Sequence, residues 1–207
     1  MTFANRAEAG QKLAQALHGF QGVNGIVLAI PRGGVVVGVE IAKALQWPID
    51  VVITRKIGHP LDPEFAIAAV SEKGKAIINE GALNQVDGVW FDEQIDAQRE
   101  EAKRRRIRYR GEKAMEPLSG KVAMIVDDGT ATGLTMRAAI DEVKLLQPEK
   151  IVLAIPVAPR HIVEELSHLT DEVIVLSAPD VFKGAIGLYY KEFPQITDEE
   201  VVMLLQK

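Results

Sequence analysis

Asp127 and Asp128 end an apolar run and are followed at once by Gly129, Thr130, Ala131, Thr132, Gly133, Leu134 and Thr135. Carboxylates bind hydroxyls and hydrated cations. A run of small residues instead opens its backbone N–H groups to an anion, above all when a helix begins just beyond. Thr130, Thr132 and Thr135 add hydroxyl donors to the same loop. Two acids beside a phosphate pocket would repel the phosphate itself, so they are expected to face another part of the same ligand: vicinal hydroxyls, or a sugar carrying magnesium. The pattern asks for a sugar 5-phosphate held at both ends. Two other chemistries are excluded residue by residue. A phosphohydrolase of the haloacid dehalogenase type needs an aspartate nucleophile where Val126 stands, and a triphosphate-binding P-loop needs a lysine that is absent between Gly129 and Thr135. Solvated acids capping a strand-to-helix turn would suit an isolated acidic pair, but not the whole string.

The elements that must position this loop follow from two hydrophobic periods. Short β-branched runs lie at Gly25–Ile30, Ile49–Thr54, Val122–Val126, Ile151–Val157 and Val173–Leu176, and helical spacing separates most of them, at Val35–Leu45, Thr135–Leu146 and Arg160–Leu169. This predicts an α/β fold, a parallel sheet with helices on both faces. Ligands of such sheets bind outside the carboxyl ends of the strands, which is where residues 127–135 fall. Between the second and third runs, "EFAIAAV" and "KAIINE" flank the turn "SEKG" and predict a hairpin, followed by one long charged helix from Trp90 to Arg110. From Ala178 onward, strand-like and helix-like pieces predict a small subdomain over the sheet. No repeat or linker divides the chain, so residues 1–207 read as one domain.

Composition sets the bounds. With 207 residues, 47% hydrophobic and 26% charged, the chain can bury a sizeable core, and its net charge of -5 argues against a whole-surface affinity for nucleic acid. The absence of cysteine excludes disulfides and thiolate metal sites and makes a reducing cytoplasm the expected location. The first twenty residues lack the order of a signal peptide, and no apolar run is of membrane-spanning length, so no membrane association is expected. Lys103, Arg104, Arg105, Arg106, Arg108 and Arg110 form a basic run. The acids between Asp92 and Glu101 precede it, which suits a helix dipole and i,i+4 pairing better than a grip on RNA.

The string "VAMIVDDGTATGLT" (122–135) resembles the phosphoribosyl pyrophosphate signature of type I phosphoribosyltransferases: an apolar strand, two acids, three variable residues, then Thr-Gly-x-Thr. "AIPRGG" (29–34) is similar to that family's pyrophosphate loop, and "TRKIGHPL" (54–61) to its Arg-Lys segment and mobile catalytic loop. The resemblance implies a five-stranded parallel sheet of order 3-2-1-4-5 flanked by helices, with residues 178–207 contributing to a hood. It implies that Arg32, Gly33 and Gly34 meet pyrophosphate. Asp127 and Asp128 would hold the ribose hydroxyls, and the loop Gly129, Thr130, Ala131, Thr132, Gly133, Leu134, Thr135 the 5-phosphate. Arg55 and Lys56 would complete the anion clamp, making Arg55, Lys56, Asp127 and Asp128 the catalytic set. Magnesium would be bound mainly through the phosphoribosyl pyrophosphate, with no direct protein ligand, and residues 57–64 would form a lid.

The implied reaction transfers phosphoribosyl to a nitrogen nucleophile such as a nucleobase, in nucleotide salvage, by a homodimer or higher homo-oligomer. Ala131 stands where 6-oxopurine enzymes carry an acid, which disfavours hypoxanthine and guanine. "APDVFKGAIGLYY" (178–190) nevertheless resembles a purine-type hood in which Phe182 would stack on a base, with Tyr189 where an aspartate is usual. The alternative is a sensor that keeps the phosphoribosyl pyrophosphate pocket without catalysis and binds RNA through the basic run.

Overall fold

The computed structural model describes residues 1–83, 86–111, 113, 115 and 117–206. Helix α1 (Arg6–Ala16) leads into β1 (Gly25–Ala29), α2 (Gly33–Leu45) and β2 (Ile49–Val51). An insertion follows, made of β3 (Thr54–His59), β4 (Asp62–Ser71), β5 (Ile77–Ile78), the short α3 (Glu80–Leu83) and the long α4 (Gly88–Arg110). The chain resumes with β6 (Val122–Val126), α5 (Leu134–Lys144), β7 (Lys150–Val157), α6 (Arg160–Ser167) and β8 (Glu172–Ser177). A 3-10 turn at Ile186–Tyr189 and α7 (Asp198–Leu205) complete it.

Five strands form one parallel sheet in the order β2-β1-β6-β7-β8. The expected α/β class is found, but the order differs. Counted along the chain, the five core runs stand as 2-1-3-4-5, not 3-2-1-4-5. Burial explains the difference: β6 is buried at every position and needs a neighbour on each side, whereas two of the three residues of β2 are half-buried, as suits an edge. The order reverses direction between β1 and β6, so the loops that follow these two strands diverge and leave a crevice at their carboxyl ends.

Side chains alternate between the two faces of the sheet. Ile26, Leu28, Ile125 and Leu153 pack on Met136, Ile140 and Val143 of α5 and on Ile162 and Leu166 of α6. The residues between them, Val27, Met124, Val126 and Val152, pack on Leu13 and Leu17 at α1 and on Val37, Ile41 and Leu45 of α2. Around β2, Val51 and Ile53 lie under Ala102 and Tyr109 of α4 and Val201 of α7, which cover the edge.

The insertion corrects two expectations. The run Ile49–Thr54 is not one strand: after β2 the Val52 N–H still donates to the Ala29 carbonyl at 3.1 Å, and then Thr54 opens β3 in a second sheet. Residues 57–64 are not a loop but the end of an antiparallel β3–β4 hairpin whose register shifts on both sides of Gly58. A Cβ at Gly58 would lie 2.2 Å from the Pro63 carbonyl oxygen, so glycine permits this close crossing. The expected second hairpin is present, with Ala68 opposite Ile78 and Ala69 opposite Ile77. Its turn is docked on α5, where Glu142 accepts from the N–H groups of Lys73 and Gly74, both at 2.8 Å, and Asp141 from that of Lys75 at 2.6 Å.

Helix α1 has no counterpart in the sequence reading. Asn5 caps it by accepting from the Glu8 N–H, and its buried face is made largely of small residues, Ala9, Gly10 and Ala14 beside Leu13. Among the described residues, no helix is long and apolar enough to cross a membrane.

Candidate functional site

The loop after β6 is held from within. Thr130 is buried, its N–H donates to the Val157 carbonyl at 3.1 Å, and its Oγ1 accepts from the Gly133 N–H at 3.1 Å. That oxygen is therefore used partly inside the loop. Gly133 caps α5 at φ 72°, a conformation that glycine adopts without penalty. Leu134 packs with Ala66, Ala69 and Ala138 and ties the loop to the hairpin sheet. Ala131 and Thr135 are half-buried and Thr132 is exposed, at the amino end of an eleven-residue helix.

The loop after β1 interlocks with the two acids. The Ile30 N–H donates to the Val126 carbonyl at 2.8 Å, the Pro31–Arg32 peptide is cis, and α2 starts at Gly33. A Cβ on Gly33 would fall 1.8 Å from Asp128 Oδ2, and one on Gly34 2.8 Å from the Val126 carbonyl oxygen, so only glycine lets these loops meet. Asp127 Oδ1 accepts from the Asp128 N–H at 2.8 Å. Asp128 is fixed at two points: its Oδ2 accepts from Arg6 Nε at 2.6 Å and its backbone oxygen from the Tyr190 hydroxyl at 2.6 Å. Burial pushes the Asp127 carboxyl well above the usual range, and the adjacent Asp128 charge adds to this. Burial also raises Asp128, against the opposing pull of Arg6. The Lys56 charge acts on both acids in the same lowering sense.

The remaining expected residues divide. Neighbours along a strand point to opposite faces, and in β3 the exposed Lys56 lies in electrostatic reach of the acids, while Arg55 turns to α4 and donates from Nε to Gln98 Oε1 at 3.0 Å. Burial, then the nearby Arg105, lower the Arg55 pKa. Arg32 Nη1 lies 3.7 Å from Asp198 Oδ1 at the start of α7. Asp198 is held further by Arg108 at 2.9 Å and by the Tyr109 hydroxyl at 2.6 Å. Phe182 is half-buried and stacks on Tyr189, ring centroids 5.2 Å apart, while Ile186 lies against Gly129. The structure thus brings Gly33, Gly34, Asp127, Asp128 and the loop Gly129–Thr135 together with the Lys56 charge in reach of the acids, whereas the Arg32 side chain turns to Asp198 on α7. Arg6 and Tyr190 join the acids without any sequence motif to announce them.

Each member of the basic run has a carboxylate partner. Lys103 pairs with Glu100 at 3.7 Å, Arg104 and Arg105 with Glu101 at 2.6 and 2.8 Å, Arg106 with Glu72 at 2.7 Å, Arg108 with Asp198, and Arg110 with Asp50 at 2.8 Å. The i,i+4 expectation accounts for only part of this. Half of the run reaches acids on other elements, so α4 ties the insertion to the core. Among the described residues, no group of three or more His, Cys, Asp or Glu side chains is placed to hold a metal ion.

The phosphoribosyl transferase domain family matches residues 3–192, and the chain belongs to that family, in its type I branch. It is 40% identical over 207 residues to proteins of two Mycobacterium tuberculosis strains, H37Rv and CDC 1551, provisionally named phosphoribosyl transferases; the match takes in 99% of this chain and 46% of theirs. The chain therefore spans about half the length of these curated relatives. The crystal structure of TT1426 from Thermus thermophilus is also 40% identical, covers 99% of this chain and 98% of its own, and superposes with a TM-score of 0.79.

Proposed function

We propose that the chain transfers a phosphoribosyl group from 5-phosphoribosyl 1-pyrophosphate to a nitrogen nucleophile of the nucleobase class, releasing pyrophosphate. The observation that carries this reading is the placement of Asp127 and Asp128 between the Gly33–Gly34 loop and the amino end of α5. One ligand with a phosphate, a diol and a diphosphate meets all three.

In this reading the loop Gly129–Thr135 holds the 5-phosphate through backbone N–H groups, and the two acids hold the ribose hydroxyls. A bond forms from the nitrogen to the anomeric carbon as the bond to the pyrophosphate oxygen breaks, and the electron pair leaves with pyrophosphate. Positive charge develops on the sugar and negative charge on the leaving group. Arg32, the Gly33 and Gly34 backbone and Lys56 neutralise the latter, and the acids stand beside the former. Arg55 turns to α4 and holds Gln98, so contrary to expectation its part in this reading is to fix β3 behind Lys56 and not to meet the ligand. Two carboxylates without a third ligand suit a magnesium ion carried mainly by the oxygens of the substrate, where it supplies Lewis-acid stabilisation of the diphosphate.

The β3–β4 hairpin serves as the lid, its exposed tip closing over the leaving group to exclude water. Phe182, backed by the buried Tyr189, forms the side on which the acceptor base lies, within a hood built from residues 178–194. Helix α7 packs at the β2 edge instead of joining the expected 178–207 hood, and the single-domain unit works as a homo-oligomer. Ala131 offers no acid for a 6-oxopurine. The site for nucleotide salvage is tested by incubating the protein with phosphoribosyl pyrophosphate, magnesium and a panel of free bases and amines, and reading acceptor-dependent pyrophosphate release. Absence of release with every acceptor, despite retained ligand binding, would turn the reading toward a sensor. The paired state of α4 weighs against an RNA-binding sensor: an anisotropy titration at physiological salt is expected to show only weak, unsaturable RNA binding.

A further inference from the structure

Arg6 is the first residue of α1, and its side chain is 9% exposed. Its guanidinium does three things at once. Nε donates to Asp128 Oδ2 at 2.6 Å, Nη1 donates to the Pro194 carbonyl at 2.7 Å, and the ring of Phe193 lies under Cζ at 3.6 Å to its centroid. The same Nε would lie 2.8 Å from a Cβ on Gly33, so the ion pair is pressed directly against the loop after β1. Tyr190, four residues before Pro194, holds the backbone of Asp128, and Phe3 is bridged to Tyr190, their rings tilted against each other with centroids 5.4 Å apart. Chain segments 3–6 and 189–194 thereby form one strap across the second acid.

The consequence for the acids is unequal. Asp128 has one carboxylate oxygen committed to a cation and its main chain pinned, while Asp127 Oδ1 accepts from the adjacent backbone and the Asp127 carboxyl lies within hydrogen-bond reach of the Asp128 carboxyl. A planar fork fixes a carboxylate in both distance and direction, which a lysine ammonium does not. We infer that Arg6 is a positioning residue for sugar binding: it fixes Asp128 through Oδ2 so that Oδ1, beside the Asp127 carboxylate, meets the ribose hydroxyls. The inference rests on the proposed reading of the crevice as a phosphoribosyl site. It assigns Arg6 to the sugar and not to the diphosphate, because its Nε is spent on Asp128, one of the two acids of the sugar pair, and its Nη1 on the Pro194 carbonyl.

The test is a calorimetric titration of the full chain with three probes, phosphoribosyl pyrophosphate with magnesium, ribose 5-phosphate, and pyrophosphate, on wild type, Arg6→Gln, Arg6→Lys, Asp128→Asn and the Arg6→Gln/Asp128→Asn double variant. Arg6→Gln is expected to weaken the two sugar-bearing probes by tenfold or more and to leave pyrophosphate unchanged, and Arg6→Lys to restore part of the loss. The Arg6→Gln loss should vanish in the Asp128→Asn background. Should Arg6→Gln not fold, Arg6→Lys and Asp128→Asn still report the split between sugar and diphosphate. A parallel loss for pyrophosphate, or additive effects in the double variant, would overturn the assignment, as would a lowered melting temperature with every affinity intact. Wild-type protein that binds none of the probes overturns the phosphoribosyl site and this inference together, whereas wild-type binding with unaltered Arg6 variants overturns the inference alone.

Discussion

Thr130, in the loop after β6, is 4% exposed, whereas Leu61, at the turn of the β3–β4 hairpin, is 89% exposed. Both segments border the same crevice. The first is closed on itself, with Gly133 and Val157 bonded to Thr130 and the side chain of Leu134 set in apolar packing. The second is a two-stranded tongue anchored at its base by the acids of α5 and irregular around Gly58 toward its tip. Bonds made before a ligand arrives need not be made at its expense, so the sugar-phosphate end is organised in advance. Lys56 stands toward the base of the tongue, opposite Ala69, and the irregular stretch begins only at Gly58, so the part placed to act as a lid lies just beyond Lys56.

The sharpest way to break this contrast lies at the acids. Replacing Asp127 and Asp128 together by Asn removes two charged hydrogen-bond acceptors, each worth about 2 kcal/mol, and should weaken ribose 5-phosphate and phosphoribosyl pyrophosphate alike by on the order of a hundredfold or more. Calorimetry reads the affinity and circular dichroism the fold; unchanged affinity removes the central reading. Next in size is Gly33→Ala. Its Cβ would sit 1.8 Å from Asp128 Oδ2, and the displacement should cost about 1–3 kcal/mol of stability, with a matching loss of ligand affinity. A neutral thermal melt with normal binding would show that the two loops are not rigidly interlocked.

On the hairpin side, Lys56→Ala should lower turnover by more than tenfold, about 2 kcal/mol, while ribose 5-phosphate affinity changes little; Arg32→Ala should behave alike. Equal losses for both ligands would erase the distinction between a fixed and a moving end. The smallest effect concerns the scaffold. Hydrogen bonds from Arg104 and Arg105 lower the Glu101 carboxyl to about 2, against an ordinary 4.5. Since the folded value is the lower one, its contribution to stability is complete above pH ~4.5 and is lost as pH falls toward about 2. A pH series of thermal melts should show a slightly weaker acid dependence for Glu101→Gln than for wild type.

How much of this was legible in the sequence depended on whether a feature is local. "VAMIVDDGTATGLT" places a strand end, two acids and a helix start within fourteen residues, so pattern and site coincide. The same holds for Gly33 and Gly34, where the need for glycine is met by the very acids that the second string supplies. The strand order was not legible, because apolar runs carry no mark of which will lie at an edge; that is settled by what covers them, here α4 and α7 over β2. The end of β2 at Val51 was hidden too, since Val51–Thr54 is β-forming throughout and the chain changes sheets inside it. Arg6 was beyond reach for a simpler reason. An arginine at the start of a polar helix looks like any solvated cation until Asp128, 122 positions away, is placed beside it.

The strap that joins segments 3–6 to segments 189–194 also orders events in time. A ribosome releases Phe3 and Arg6 long before Tyr190, Phe193 and Pro194, since the hydrogen bond from Arg6 to Pro194 spans 188 positions. The sheet, the acids and the glycine loops can all have formed while Arg6 still lacks its carbonyl partner and Tyr190 has not reached the Asp128 backbone. The strap is therefore closed only after both loops and their acids have been made, and a nascent chain cut short before residue 190 would carry every signature string and still lack the Tyr190 bond to the Asp128 backbone and the Pro194 anchor of Arg6.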